Sequence, residues 1–199
     1  MFTGDEKQER FEEVFYRIKK MRRIYTIFDT ETTGLSPDQG DRIIEMAAIK
    51  IIDGRITNEK FEALINPERL ISLSASAVNG ITNEMVENKP TMYKILPKFL
   101  RFVGDSALVA HNASFDKKFL QAEINKCGIN LPIPKFVCTL RLSKKIFPYE
   151  RRHNLDVVAK RMGVGIQEED RHRDLGDVKI TAEVFIKFLE IMKVSYKTS

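Results

Sequence analysis

The chain has 199 residues, 43% of them hydrophobic, and this length suits one domain with a sizeable core. It carries 33 Lys and Arg against 28 Asp and Glu, a net charge of +5 that favours a polyanionic partner without requiring one. No apolar run reaches the ~18 residues of a membrane span and no signal peptide is visible, so we expect a soluble cytoplasmic protein. The two cysteines, Cys127 and Cys138, are not spaced as metal ligands and are expected to be buried free thiols.

The N-terminal segment, residues 1–22, is highly charged, yet apolar residues recur in it at helical spacing. These residues are Phe11, Val14, Phe15, Ile18 and Met21. The spacing predicts an amphipathic helix that packs on the following domain or binds a partner, and packing is the use we favour. Residues 23–199 show no repeat, low-complexity tract or linker, and are expected to form a single domain.

A pair of carboxylates follows the first predicted strand. An apolar, β-prone run over 24–28 predicts the strand, and Asp29 and Glu31 stand at its end. Because side chains two apart on a strand share a face, these carboxylates should project together, with Thr30 turned the other way. They would repel each other unless a cation lies between them, and Mg²⁺ and Mn²⁺ prefer oxygen ligands. The alternative is an acidic, solvated turn.

Two more strands are predicted after a break at Thr32–Gly34. Gly34 is expected to permit backbone geometry that other residues resist and to let a ligand approach closely. A mostly apolar run over Arg42–Ile52 and a second run over Ile56–Ile65, joined by an Asp-Gly turn, predict the strands. Together with the first strand they should form an antiparallel meander. Glu45, in the second of these strands, is compatible with a solvent-facing position and with a place in a site.

The middle of the chain is predicted to be helical around one short strand. Helices are expected over Ser74–Val78, after Thr82, and over Thr91–Phe102. The apolar run Ala107–Ala110 predicts a buried strand parallel to the first, followed by a helix from Ser114, its expected cap, to residue 126.

Asp116 lies in the first turn of that last helix and has two interpretations. A carboxylate there favours the helix dipole, which is the simpler one. Alternatively, Asp116 is a third carboxylate delivered at the strand–helix junction. Ligands of open α/β sheets bind at the carboxyl ends of strands, and Asp29 and Glu31 would converge there with Asp116.

The last third of the chain supplies two more predicted helices and a polar loop. Asn154 can cap the first of these helices, and the second spans about Asp174–Met192 with Asp177 in its first turns. The loop Gln167–Arg173 holds His172, which could swing over a site that Asp177 lines. A lone histidine in a loop is otherwise simply an exposed residue.

Three motifs in this order resemble the DEDDh class of 3′→5′ exonucleases. They are Asp29-Thr-Glu31 followed by Thr-Thr-Gly, His111-Asn-Ala-Ser-Phe-Asp116, and His172-x4-Asp177. The resemblance covers about Ile24–Met192 and is closest to the proofreading exonuclease of bacterial DNA polymerase III, either the epsilon subunit or the PolC-type exonuclease domain. It implies that residues 23–199 form one exonuclease domain of ribonuclease-H-like α/β fold, a mixed five-stranded sheet with three antiparallel strands, flanked by helices.

The resemblance also implies roles for individual residues. Asp29, Glu31, Asp116 and Asp177 would hold two divalent cations, Mg²⁺ or Mn²⁺, and His172 would be the general base on the attacking water. The backbone of Thr32, Thr33, Gly34 and Leu35 would cradle the terminal nucleotide. The groove for the frayed strand would be lined by His111, Asn112 and Phe115.

The implied activity is release of nucleoside 5′-monophosphates from single-stranded or mismatched DNA 3′ ends, as proofreading in DNA replication. A DNA polymerase catalytic subunit or domain is a possible partner, and no membrane is expected. Two alternatives stay open, an RNA-trimming exoribonuclease of the same class and a non-catalytic nucleic-acid-binding module. Either a stand-alone exonuclease or an excised domain would fit the chain.

Overall fold

A five-stranded mixed sheet forms the centre of the computed structural model, which describes residues 24–165 and 175–195. The strands are β1 (Ile24–Thr32), β2 (Ile43–Ile52), β3 (Arg55–Leu64), β4 (Ala107–Ala110) and β5 (Phe136–Cys138). Their order is β3-β2-β1-β4-β5. Strands β1, β2 and β3 form an antiparallel meander, whereas β4 and β5 run parallel to β1. The predicted fold class is confirmed, and the helix predicted over residues 1–22 lies outside the described residues.

Helices cover both faces of the sheet. They are α1 (Leu73–Asn79), α2 (Asn83–Val86), α3 (Met92–Val103), α4 (Ser114–Lys126), α5 (Thr139–Ile146), α6 (Leu155–Arg161) and α7 (Gly176–Ser195). Helices α5, α6 and α7 pack on one face, and α3 and α4 pack on the other. In the described part of the chain, no helix is long and apolar enough to cross a membrane.

Strand β1 is buried on both faces, which fixes the direction of every side chain at its end. Tyr25 packs edge-on against Phe185 of α7, with ring centroids 4.9 Å apart. Phe28 points to the opposite face, where its ring lies 5.7 Å from that of Phe99 on α3. Because side chains alternate along a strand, Asp29 continues the row that faces α7. The core on that face therefore positions the carboxylates.

A buried ion pair joins the start of β2 to α4. Arg42 Nε donates to Glu123 Oε1 at 2.7 Å and Arg42 Nη2 donates to Oε2 at 2.9 Å, a bidentate arrangement. The two side chains are 7% and 3% exposed, and Arg42 Nη1 also donates to the Pro67 carbonyl at 3.2 Å. The pair ties α4, which carries Asp116, to the start of β2, the middle strand of the meander. The sequence pattern did not predict this ion pair.

The local predictions failed at Ser114, at the two cysteines and at α5. Ser114 is the first helical residue of α4 and no side chain caps that helix; the Ser114 hydroxyl donates to Asn112 Oδ1 at 3.2 Å instead. The two cysteines are free, but both are partly exposed rather than buried. Helix α5 was not predicted from the sequence.

Removing one partner of the Arg42–Glu123 pair should be strongly destabilising. We expect Arg42→Met to lower the free energy of unfolding by about 3–5 kcal/mol, because it leaves Glu123 buried without its partner. The control Lys60→Met breaks a solvent-exposed pair with Glu62 and should cost no more than about 1 kcal/mol. Urea unfolding of both variants makes the comparison, and equal losses would contradict this account.

Candidate active site

Asp29 and Glu31 project from the end of β1 on the face covered by α7. In the antiparallel register Asp29 lies opposite Ala47 and Glu31 lies opposite Glu45. Residues directly opposite each other in such a pair share a face, so Glu45 joins the carboxylate row, while the small Ala47 leaves space beside Asp29. The position of Glu45, which the sequence left open, is therefore beside the candidate site.

Asp116 reaches the same end of the sheet from the opposite face. It is 2% exposed and lies in the first turn of α4. The Thr30 hydroxyl donates to Asp116 Oδ1 at 2.9 Å. Thr30, predicted to turn away from its two acidic neighbours, therefore holds the third carboxylate at the strand end.

Asp177 completes the group from α7. It lies in the first turn of that helix, which packs across β1 and β2. Its charge acts on both Asp29 and Glu31. The structure thus brings Asp29, Glu31, Asp116 and Asp177 into one electrostatic neighbourhood. His172, the predicted base, lies outside the described residues.

Burial and mutual repulsion disfavour the charged forms of these carboxylates. Burial, then the charges of Asp116, Glu31, Asp177 and Glu45, hold the pKa of Asp29 well above its usual range. Burial, then the charges of Glu45, Asp177 and Asp116, raise the pKa of Glu31 to about 7, against a lowering hydrogen bond from Asn79. Burial also raises the pKa of Asp116 to about 7, although the Thr30 hydroxyl favours its ionised form.

At three of the positions, no Lys or Arg among the described residues pairs with this charge. Within residues 24–165 and 175–195, Asp29, Glu31 and Asp116 form no ion pair with Lys or Arg. Carboxylate oxygens are the donors that hard divalent cations prefer. No three Asp, Glu, His or Cys side chains among these residues are already arranged to hold a metal ion. These carboxylates fit a cation because their oxygens are suitable ligands and because no ion pair within the described residues neutralises them.

The turn after β1 explains why position 34 is glycine. The Asp41 carboxylate accepts from the Thr33 hydroxyl at 3.1 Å and from the Ser36 N–H at 3.0 Å. A Cβ on Gly34 would collide with that carboxylate, whereas the φ of Gly34 lies outside the left-handed region. The expectation that Gly34 serves unusual backbone geometry was wrong: the glycine makes room for Asp41.

Residues 32–35 were predicted to bind the terminal nucleotide through their backbone, but some of these backbone groups already form hydrogen bonds within the protein. Thr32 and Thr33 are buried, and their carbonyls accept from Asn79 Nδ2 at 3.3 Å and Ser72 Oγ at 3.2 Å. The Thr33 N–H donates to the Arg42 carbonyl. In the described structure, the N–H groups of Gly34 and Leu35 make no such bond, and their contact with a nucleotide stays a prediction.

Helix α1 places exposed apolar side chains beside the carboxylates. Ser72 and Asn79, at its two ends, anchor it to Thr32 and Thr33. Leu73 and Val78 of α1 are 90% and 67% exposed, and Leu35 in the turn after β1 is 83% exposed. Asn79 both docks α1 and bonds Glu31.

The predicted groove residues differ in what they offer to a ligand. Both ring nitrogens of His111 are engaged, one with the Thr139 hydroxyl and the other with the His153 carbonyl, each at 2.9 Å. Burial lowers the pKa of His111, which favours a neutral ring that supports the fold. Asn112 is exposed and left-handed, with φ 60°, and Phe115 is partly exposed beside Phe119. Contact of these residues with a substrate stays a prediction.

The sequence and the fold both identify this chain as a nuclease-family protein. The family model described as "Exonuclease" matches residues 26–185, and the chain belongs to this exonuclease family. The resemblance to DEDDh-class 3′→5′ exonucleases is confirmed. Members of this family use divalent metal ions.

Among curated relatives, the chain is 37% identical to the DNA polymerase III subunit epsilon of Rickettsia conorii, over 86% of this chain and 76% of that protein. It is 41% identical to a DNA polymerase III subunit epsilon-like protein of Rhodobacter capsulatus, over 85% of this chain and 24% of that one. It is 44% identical to the PolC-type DNA polymerase III of Thermotoga petrophila, over 85% of this chain and 12% of that one. The chain therefore spans a quarter or less of these last two relatives.

Solved structures give the same fold. Exonuclease X in complex with 5′ overhanging duplex DNA matches with a TM-score of 0.68 at 31% identity, over 84% of this chain and 92% of that one. The nuclease domain of 3′hExo, a DEDDh family member bound to rAMP, matches with a TM-score of 0.74 over 86% of this chain and 94% of that one. At 18% identity this second likeness shows the fold alone.

The raised pKa of Glu31 predicts a stability that depends on pH in metal-free protein. The folded state keeps the Glu31 proton up to about pH 7, whereas the unfolded chain releases it near 4.5. The free energy of unfolding of the wild type, relative to Glu31→Gln, should therefore fall as pH rises through this window.

Denaturant unfolding in EDTA between these pH values measures the difference. The control Glu59→Gln removes a carboxylate on β3 that is 54% exposed, and it should not reproduce the decline. A difference between wild type and Glu31→Gln that is independent of pH would contradict the raised pKa.

Proposed function

We propose that this chain degrades single-stranded or mismatched DNA from the 3′ end, releasing nucleoside 5′-monophosphates, and that it proofreads DNA replication. The observation that carries the proposal is the group of Asp29, Glu31, Asp116 and Asp177 at one end of the sheet, of which Asp116 is buried and the other three are partly exposed. Relatives named as epsilon and PolC-type subunits of DNA polymerase III support the replicative role. The proposal includes a polymerase catalytic subunit or domain as partner and a cytoplasmic location.

Two divalent cations, Mg²⁺ or Mn²⁺, would be held by Asp29, Glu31 and Asp177, with Asp116 contributing directly or through water. When bound, they would neutralise the scissile phosphate and lower the pKa of the attacking water. The surrounding residues prepare the carboxylates for this task. The Thr30 hydroxyl fixes one oxygen of Asp116, and the Asn79 amide favours the ionised form of Glu31.

His172 is proposed as the general base. An imidazole has an ordinary pKa near 6.5, which allows it to accept a proton at neutral pH. Asp177 begins α7 five residues later in the chain. A base delivered by the segment before α7 would approach the carboxylates from the face on which that helix packs.

The exposed apolar side chains beside the carboxylates could contact the bases of a nucleic-acid strand whatever its sequence. Leu35, Leu73 and Val78 offer surfaces for base contact, and the N–H groups of Gly34 and Leu35 can donate to the terminal nucleotide. Contacts with base faces and backbone carry little sequence preference, as a proofreading nuclease requires.

Activity should depend on Asp29 and on a divalent cation. We expect EDTA to abolish digestion of a labelled strand and Mg²⁺ or Mn²⁺ to restore it. Asp29→Asn should lower the rate by more than the ~10–100-fold that loss of an outer partner of a metal ligand costs. Asp38→Asn, at a position 77% exposed, is the matched control and should keep its activity. Full activity in EDTA would contradict a metal-dependent mechanism.

Substrate preference separates the proposed function from its alternatives. Single strands and mismatched 3′ ends should be digested faster than paired ends, because a paired end must first be unpaired at a cost of a few kcal/mol. A time course on 3′-mismatched primers, matched primers and RNA of equal sequence makes the comparison. Equal rates on matched and mismatched primers, together with faster RNA digestion, would favour the RNA-trimming alternative. Binding without digestion would favour the non-catalytic module.

A further inference from the structure

The loop between α5 and α6, residues 147–153, is held in place by its own hydrogen bonds. The buried ring of His153 joins the loop to α5 and to itself. Its Nδ1 lies 2.8 Å from the Ser143 hydroxyl of α5, and its Nε2 lies 3.0 Å from the Glu150 carbonyl. The Glu150 N–H donates to the Phe147 carbonyl at 3.1 Å. The loop is therefore closed internally.

Arg161 of α6 fixes the loop from its other side. Its Nη2 donates to Glu150 Oε2 and to the Arg152 carbonyl, each at 3.0 Å. Its guanidinium also lies 5.1 Å from the centroid of the Phe147 ring. Glu150, the acidic residue within the loop, is thereby paired.

The outward side chains of this fixed loop have no structural use in the described chain. Tyr149 is 98% exposed, and Arg151 and Arg152 are exposed as well. The structure gives none of these three side chains a hydrogen bond, ion pair or ring contact within residues 24–165 and 175–195. An ordered loop that presents an aromatic ring and two guanidinium groups is suited to bases and phosphates.

The loop stands at the end of the sheet where the carboxylates lie. The His153 carbonyl accepts from His111 Nε2 at 2.9 Å. His111 follows directly on β4, at the strand end from which α4 delivers Asp116. A strand whose 3′ end lies at the carboxylates can therefore continue across the loop.

We propose that the 147–153 loop binds the single-stranded DNA upstream of the nucleotide being removed, with Tyr149 stacking on a base and Arg151 and Arg152 contacting phosphates. This inference rests on the proposed function. The surface is positively charged and the strand is a polyanion, so the two are complementary. The loop would hold long strands without taking part in hydrolysis.

A measurement of DNA binding tests this proposal independently of nuclease activity. Fluorescence anisotropy is measured in EDTA in an Asp29→Asn background, on a labelled DNA strand longer than the roughly 4–16 nucleotides of a typical single-strand site. Tyr149→Ala should weaken binding about 5- to 100-fold, and Tyr149→Phe should restore most of it. Arg151→Ala with Arg152→Ala should reduce the slope of log K against log salt by about 0.7 per lost phosphate contact.

The matched control is Lys98→Ala with Arg101→Ala, which removes two exposed cations from α3 on the other face of the sheet. It should leave the affinity largely unchanged. In the active background, the loop variants should raise KM for the long strand and leave cleavage of a dinucleotide unchanged. Equal losses on both substrates, or equal losses in the control, would overturn the proposal. If the wild type digests no nucleic acid, the proposed function fails, while the anisotropy measurement still decides whether the loop binds.

Discussion

Electrostatic repulsion among the carboxylates at one end of the sheet is the constraint that the rest of the structure must accommodate. Four acidic side chains from β1, α4 and α7 share one end of the sheet, and Glu45 adds a fifth beside Glu31. Left alone, such a group disfavours the compact state, because each ionised carboxylate raises the cost of ionising the next. The rest of the structure must hold these groups in place, and bound protons or a cation would neutralise them.

The scaffold does this with a rigid centre and long-range ties. Strand β1 is packed between two apolar faces, so its end cannot shift without disturbing both. The Arg42–Glu123 pair fixes α4 against β2, and Thr30 fixes Asp116. Similar ties arrange the surroundings: Asp41 closes the turn after β1, and His111 joins the end of β4 to the segment before α6. Polar interactions here serve position more than stability.

Local pattern was enough to predict the parts of the site that depend on neighbours in sequence. The alternation along β1 indicated that Asp29 and Glu31 share a face, and the strand–helix junction indicated the place of Asp116. Long-range interactions were beyond such reasoning. Glu123 was an ordinary helix residue in the sequence, because its partner Arg42 lies 81 positions away. The partners of His111 lie 28 and 42 positions away, and the reason for Gly34 appears only once Asp41 is folded against it.

The raised pKa values imply that this group of carboxylates keeps protons at neutral pH, and a divalent cation that binds there would replace them. Calorimetric titration of metal-free protein with Mg²⁺ or Mn²⁺ at about pH 6.5, in buffers of different ionisation enthalpy, counts the protons released on binding. Because the pKa values of Glu31 and Asp116 are raised to about 7, and that of Asp29 is raised as well, the account predicts release of about one proton or more per protein. A binding heat that is independent of the buffer, with no proton released, would contradict it.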